Sequence, residues 1–276
     1  MNALPDEYGV IGYPVAHSRS PFIHTQFARQ TGQNLVYRLH EVPPERLRAA
    51  VLEFARSGGR GLNVTVPHKV AAAALAHELS ARAGRAGAVN TLSFEDHRIL
   101  ADNTDGAGLV RDLADNLHIG IRGRRILLVG AGGAARGVIA PLMELQPAQL
   151  VIAARSAERA AGLAAQFTDL GAVQGLGLGQ LPGHAFDLVI NATSAGLSGE
   201  VPALPATVID GATACYDMSY GKGDTPFVTW ARAHGCGRAV QGWGMLVEQA
   251  AESFALWRGI RPQTAPVLAL LAGEAR

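Results

Sequence analysis

A lysine and an aspartate, Lys69 and Asp105, are the residues of this chain best suited to moving a proton. Each follows an apolar run that reads as a strand, and loops at strand ends are where reactive groups usually stand. A lysine beside a carboxylate can be oriented by it and can shuttle a hydroxyl proton, a role that contributes about 10²–10⁴ in rate. The same two residues also read as a surface lysine and a helix-capping aspartate, and spacing alone does not separate these readings. Neutral polar groups stand at other strand ends: Asn63, Thr65, Asn90 and Asn103, with Ser18 and Ser20 after the first strand. Such a set suits a small polyhydroxylated, carboxylated molecule, although the same residue types satisfy turns and caps. His17, His24 and His68 flank these stretches. His68, next to Lys69, is the one rival acid–base group, and a packing or surface role suits it better.

The second stretch with chemical content is Arg125-Ile-Leu-Leu-Val-Gly-Ala-Gly-Gly-Ala-Ala-Arg136. Ile126 to Val129 read as a strand buried on both faces. In the turn that follows, Gly130 permits the sharp change of direction and Gly132 lets the backbone approach a pyrophosphate. Ala135 is small enough for the next helix to pack on the strand. The N-terminus of that helix offers unpaired N–H groups to phosphate. A second strand then ends at Ala154 and runs into Arg155-Ser-Ala-Glu-Arg159, with no carboxylate at the strand end to accept from ribose hydroxyls. Arg155 and Arg159 are four apart and share one side of a first helical turn. Ser156 can cap that turn and donate to a phosphate oxygen, and guanidinium groups pair well with phosphate. The expected cofactor is therefore NADP rather than NAD; the alternative is that both arginines are ordinary surface charges.

The elements that carry these residues follow from periodicity. Residues 8–13, 35–41 and 61–66 read as strands. Helices are expected from Ser20, as N-cap, to Gly32, over 45–56, and from Lys69 through an Ala-rich run to Leu79. Residues 88–94 and 98–101 read as a hairpin, and Asp102-Asn-Thr-Asp105 leads into a connecting helix ending near Asn116. From Arg125 the pattern alternates. Strands are expected at 126–130, 150–154, 172–175, 187–191, 213–217 and 238–240, with helices at 133–145, 157–167 and 225–234. That alternation implies right-handed crossovers and a doubly wound parallel sheet. Two further helices, about 245–257 and 264–274, end the pattern. The fold class is α/β: an N-terminal α/β substrate domain, 1–104 plus the returning helices 245–276, and a Rossmann-type NADP domain, 105–244.

With 276 residues and 48% hydrophobic content the chain can bury a substantial core. Its 24 basic and 23 acidic side chains leave a net charge of +1, which argues against nucleic acid or a membrane surface as main partner. The longest apolar run, Val70 to Ala76, is far too short for a bilayer span. The first twenty residues contain Asp6, Glu7 and Arg19 and lack a signal-like apolar core. Cys215 and Cys236 match no metal-ligand spacing, so no metal is expected, and so few cysteines suggest a reducing compartment. A cytoplasmic location is expected, with monomer and homodimer both compatible with the balanced charge.

Eight motifs occur in order along nearly the whole chain: His17-Ser-Arg-Ser-Pro21, Asn63-Val-Thr-Val-Pro-His-Lys69, Gly87-Ala-Val-Asn-Thr91, Asp102-Asn-Thr-Asp-Gly106, Gly130-Ala-Gly-Gly-Ala134, Asn191-Ala-Thr-Ser194, Tyr216-Asp-Met218 and Gly242-Trp-Gly-Met245. Together they closely resemble shikimate dehydrogenases. The resemblance implies reversible NADPH-dependent reduction of 3-dehydroshikimate to shikimate in aromatic amino-acid (chorismate) biosynthesis. It implies Lys69 and Asp105 as the catalytic pair. Ser18, Ser20, Asn63, Thr65, Lys69, Asn90, Asp105, Tyr220 and Gln249 are implied as substrate contacts, with the serines on the carboxylate. Gly130, Ala131, Gly132, Gly133, Ala134, Ala154, Arg155, Ser156, Arg159, Thr193, Met218 and Gly242 are implied as the cofactor shell. Ala154 stands where many members have Asn, Ala81 where an acidic residue is common, and Ser219 where a larger residue often follows the methionine. These departures bear on cofactor affinity rather than on the proton-transfer pair. A quinate/shikimate dehydrogenase, often NAD-preferring, is the nearest rival, and a non-catalytic nucleotide-binding protein is a more distant one.

Overall fold

The computed structural model describes residues 4–181 and 183–274. Two six-stranded sheets organise the chain. The first contains β1 (Asp6–Gly12), β2 (Leu35–Glu41), β3 (Gly61–Val64), β4 (Glu78–Leu79), β5 (Thr91–Glu95) and β6 (Arg98–Asp102), in the order β2-β1-β3-β5-β6-β4. β1 runs parallel to β2 and β3, whereas β5 is antiparallel to β3 and β6. The helices of this part are α1 (Ser20–Thr31), α2 (Leu47–Arg56), α3 (Lys69–Ala73) and α4 (Ala81–Ala86). Leu47, Val51 and Phe54 of α2 bury against Ile11, Leu62 and Leu92 of the sheet.

α5 (Asp105–Arg111) leaves the first sheet, continues as one π-helical turn (Asp112–Asn116), and leads to the second sheet. That sheet contains β7 (Arg125–Val129), β8 (Gln149–Ala154), β9 (Val173–Gly177), β10 (Leu188–Asn191), β11 (Ala214–Asp217) and β12 (Arg238–Gln241). Its order is β12-β11-β10-β7-β8-β9 with every neighbouring pair parallel. The order reverses between β7 and β10, which is where doubly wound sheets open a ligand crevice at the carboxyl ends of the strands. α6 (Gly133–Glu144), α7 (Ala157–Ala165) and α8 (Pro226–Ala233) are the crossover helices. Ile126 and Leu128 face one buried cluster and Leu127 and Val129 the other, so both faces of β7 are covered.

α9 (Trp243–Arg258) and α10 (Ala265–Glu274) follow β12. Val247, Ala250, Ala251 and Phe254 of α9, with Val267 and Leu271 of α10, pack on Ile23 and Phe27 of α1. The chain therefore returns to its first sheet after building the second.

Several expected boundaries move. The Ala-rich helix from Lys69 stops at Ala73, because Glu78–Leu79 pair in parallel with Leu100–Ala101 and Ser80 caps a separate α4. Alanine's helix propensity yields there to sheet pairing. Ser20 is the first residue of α1 rather than its cap: Arg19 holds the cap position, and the Ser18 hydroxyl accepts from the Ser20 N–H at 3.3 Å. The start expected for the second helix is a 3-10 turn, Pro44–Arg46, before α2 proper. β5 begins at Thr91, not Ala88, and its hairpin turns on Asp96 and His97 with φ of 46° and 61°. Positive φ at two successive turn residues matches the twist of the flanking strands.

Candidate active site

Lys69 opens α3 and Asp105 opens α5, two short helices that begin where chain leaves the first sheet. Their side chains meet: Lys69 Nζ donates to Asp105 Oδ2 at 2.5 Å. Both are largely shielded, at 12% and 5% side-chain exposure. A buried ion pair is tolerated only when its remaining lone pairs are also satisfied. Asn90 meets that demand, because its Nδ2 donates to Asp105 Oδ1 at 2.9 Å. The Asp105 N–H donates to Asn103 Oδ1 at 3.1 Å. The turn before Asp105 is braced from the other side by Asp102, which accepts two hydrogen bonds from Arg82, at 2.7 and 2.9 Å, and one from the Asn103 N–H at 2.6 Å. Burial opposes the Asp102 charge, but Arg82 and Ser80 outweigh it and hold the carboxyl below its ordinary range.

The glycine turn faces this pair. Gly130 has φ of 119°, and a Cβ there would sit 3.0 Å from the Ala192 carbonyl oxygen. A side chain at Gly133 would lie 2.8 Å from the Lys69 Cβ, so the lysine stem stands on the first turn of α6. Gly132 occupies the α6 cap position without a capping side chain, and a Cβ added there would meet open space. The first N–H groups of α6, with Ala131 and Ala134 beside them, thus form an uncapped, roomy cradle that fits a pyrophosphate. Ala154 ends β8; Ser156 caps α7 by accepting from the Arg159 N–H at 3.2 Å, which leaves its own hydroxyl hydrogen available. Arg155 and Arg159 are exposed at the same helix start, which suits the extra phosphate of NADP.

The remaining expected cofactor residues gather at the carboxyl ends of β10, β11 and β12. Thr193 donates to Asn191 Oδ1 at 2.8 Å, and its methyl group lies near Gly130. The Met218 N–H donates to the Asn191 carbonyl at 2.9 Å. Gly242 donates to the Ser219 carbonyl at 3.0 Å and leaves no room for a side chain against Met218. Ser219 is half-buried in this wall, and Ala81 is the first residue of α4 beside Arg82.

The expected substrate contacts fall into two groups. Ser18 and Ser20 share a hydrogen bond of 3.2 Å at the start of α1. Tyr220 approaches them from the second sheet: burial pushes its phenol up, while the Arg19 backbone and the Ser18 hydroxyl pull it down. Thr65 follows β3, its N–H donating to the Ile11 carbonyl at 2.9 Å. Gln249, brought back by α9, accepts from Asn90 Nδ2 at 3.2 Å. The amides of Asn63 and Asn90 are both engaged inside the protein, Asn90 Oδ1 accepting from the Thr104 N–H at 2.8 Å. Tyr37 donates to Asn63 Oδ1 at 2.7 Å, and Asn63 Nδ2 donates to Ser253 Oγ at 2.9 Å. His68 is buried with Nε2 at 2.7 Å from the Val42 carbonyl, a packing role away from the ion pair. Tyr37, Thr91, Thr104 and Ser253 belong to this polar network, and sequence reasoning missed all four. Ser253 lies one helical turn after Gln249, the one spacing signal that could have revealed it.

An ammonium held by a carboxylate, set against a dinucleotide cradle and ringed by hydroxyl and amide groups, can deliver a proton to a carbonyl oxygen as hydride reaches the carbon. Profiles described as the shikimate dehydrogenase substrate binding domain, shikimate / quinate 5-dehydrogenase and the shikimate 5'-dehydrogenase C-terminal domain match residues 10–92, 112–198 and 242–271. A shikimate dehydrogenase (NADP(+)) from Methylococcus capsulatus is 52% identical over 273 residues, covering 99% of this chain and 98% of that protein. The crystal structure of an Ael1 enzyme from Pseudomonas putida superposes with a TM-score of 0.88 at 46% identity, over 96% of this chain and 98% of that one. A shikimate 5-dehydrogenase from Thermus thermophilus, in complex with NADP(H) and shikimate, gives a TM-score of 0.84 at 32% identity, over 98% of this chain and all (100%) of that one. Sequence motifs, sheet order and the clustered site agree with these likenesses, and the chain belongs to the shikimate dehydrogenase family.

Proposed function

We propose that the protein catalyses the reversible, NADPH-dependent reduction of 3-dehydroshikimate to shikimate, a step of aromatic amino-acid (chorismate) biosynthesis. The observation that carries this reading is the 2.5 Å pair of Lys69 and Asp105 lying against the first turn of α6. Bound on that turn, NADPH supplies the hydride. Lys69 gives its proton to the ketone oxygen as the new C–H bond forms, and in the oxidative direction it takes the hydroxyl proton back. Asp105 orients the ammonium and stabilises its charged form. Ser18 and Ser20, with Tyr220, hold the carboxylate. Asn63, Thr65, Asn90 and Gln249, with Lys69 and Asp105, hold the ring hydroxyls. Arg155, Ser156 and Arg159 bind the NADP phosphate, while Gly130 to Ala134, Ala154, Thr193, Met218 and Gly242 line the rest of the cofactor path.

In this reading residues 1–104 and 245–276 hold the substrate and residues 105–244 hold NADP. The enzyme works in the cytoplasm on a small molecule, as monomer or homodimer, without nucleic acid or membrane as partner. The balance of 24 basic and 23 acidic side chains supports that view. Among the described residues no helix is long and apolar enough to cross a membrane. The test is nicotinamide reduction by purified protein on shikimate and on quinate, each with NADP+ and with NAD+. Shikimate with NADP+ should give the highest kcat/KM; faster turnover of quinate with NAD+ would overturn the assignment.

A further inference from the structure

Tyr220 stands in the loop of residues 218–225 that joins β11 to α8. Its phenol meets the Ser18 hydroxyl and the Arg19 backbone of the first domain, and its ring packs on Trp243 with centroids 4.6 Å apart. The tip of this loop, Gly221-Lys-Gly223, is loose by composition. Glycine has the most backbone freedom to lose on ordering, and Gly223 adopts a φ of 71°. None of residues 221–224 is buried. Packing therefore does not hold the tip in place, and the task falls to hydrogen bonds.

Those bonds come from the strand ends beneath the loop. Asp217 and Gln241 are paired neighbours at the carboxyl ends of β11 and β12. Asp217, fully buried, holds the neck: it accepts from the Ser219 N–H at 3.0 Å and from the Thr225 hydroxyl at 2.6 Å. Gln241 holds the tip with both ends of its amide. Its Oε1 accepts from the Gly221 N–H at 2.9 Å, and its Nε2 donates to the Gly223 carbonyl at 2.6 Å. Among the described residues no other group hydrogen-bonds the backbone of 220–223. The next anchor, Asp224 with Arg232, is an exposed ion pair of a kind that contributes little. The contact with Trp243 supports the face of the Tyr220 ring, but apolar contact is non-directional and does not set how far the phenol reaches. That reach depends on where Gly221, the next residue, is pinned.

We propose that Gln241 is a positioning residue for substrate binding: by clamping the turn 221–223 it holds the Tyr220 phenol beside Ser18, where the substrate carboxylate is taken up. The inference rests on the reading of function given above, which assigns the carboxylate to Ser18, Ser20 and Tyr220. Gln241 acts only through the turn.

The test compares the parent with Gln241→Met, Tyr220→Phe and the double variant, all as full-length protein. Methionine keeps the length of the side chain and removes both hydrogen bonds. Gln241→Met should raise the KM for shikimate about tenfold and leave kcat within about threefold, the pattern of lost binding rather than lost chemistry. The dissociation constant for NADP+, measured by titration calorimetry, should stay within about twofold. In the Tyr220→Phe background the same change should alter KM by less than about twofold, because the phenol it positions is gone; independent sites would multiply their losses. A second readout follows the turn itself. The chain has two lysines, the shielded Lys69 and the exposed Lys222, so a lysine-specific protease reports on the tip of the loop. Gln241→Met should speed cleavage after Lys222 about tenfold or more, since cleavage follows local opening. An unchanged KM, unchanged cleavage, multiplying losses, or an equal loss of NADP+ affinity overturns the proposal. A parent that fails to oxidise shikimate overturns the functional reading and this proposal with it. An active parent with an unaffected Gln241→Met overturns this proposal alone.

Discussion

His24 shows how much a single side chain here depends on protonation state. Its ring is fully buried, neither ring nitrogen makes a hydrogen bond within ordinary geometry among the described residues, and burial, opposed only by the nearby Asn63 amide, pushes its pKa from 6.5 down to about 3. The unfolded chain therefore takes up a proton near pH 6.5 that the folded chain refuses until about pH 3. Stability must fall as pH drops through that window, by roughly 1.4 kcal/mol for each unit below the unfolded value. Thermal melts of the parent and of His24→Phe at neutral and mildly acid pH should show a steeper fall for the parent; parallel curves would contradict the assignment. At the cleft, Asn90→Ala removes the donor to Asp105 Oδ1 and should cost about 1.5–3 kcal/mol in kcat/KM for shikimate, since the lost bond is to a charged group. Equal kcat/KM in parent and variant would count against Asn90. Lys69 and Asp105 were legible at this scale because strand ends and motif order mark them. Asn63 was legible only as a polar group; that its amide turns inward depends on Tyr37 and on Ser253, 190 positions away, which no local pattern announces.

Among the elements, the proposed cofactor choice rests on the start of α7. Arg155 and Arg159 flank Ser156 at an exposed N-terminus, and a negative side chain there would repel the NADP phosphate. Arg155→Asp should raise the KM for NADPH about tenfold or more and leave that for shikimate unchanged. An unaltered preference between NADPH and NADH would remove the phosphate argument. The second sheet was readable almost strand by strand, because strands buried on both faces write continuous apolar runs and their crossover helices write amphipathic ones. The stretch from Lys69 to Ala86 was not readable. A two-residue β4 and a six-residue α4 are too short to carry a period, and the alanines around them favour a longer helix than pairing with β6 allows.

On the scale of the whole molecule, the site exists because α5 and α9 connect the two sheets side by side, one carrying Asp105 out and the other bringing Gln249 back. The sequence made each half recognisable; the distance between the halves depends on packing such as that of Lys69 on Gly133, which joins residues far apart in the chain. Two sheets joined by two helices invite hinge closure. Shikimate and NADP+ added together should reduce the radius of gyration measured by solution scattering, and identical profiles with and without ligands would oppose closure. The central claim is narrower: the ammonium of Lys69, held by Asp105, moves the proton while the second sheet presents the nicotinamide. Measuring kcat for Lys69→Ala beside its dissociation constant for shikimate tests this most directly. The account predicts a fall in kcat of about 10²–10⁴ with shikimate affinity changed far less. A variant that binds shikimate normally and turns over at the parent rate would contradict it.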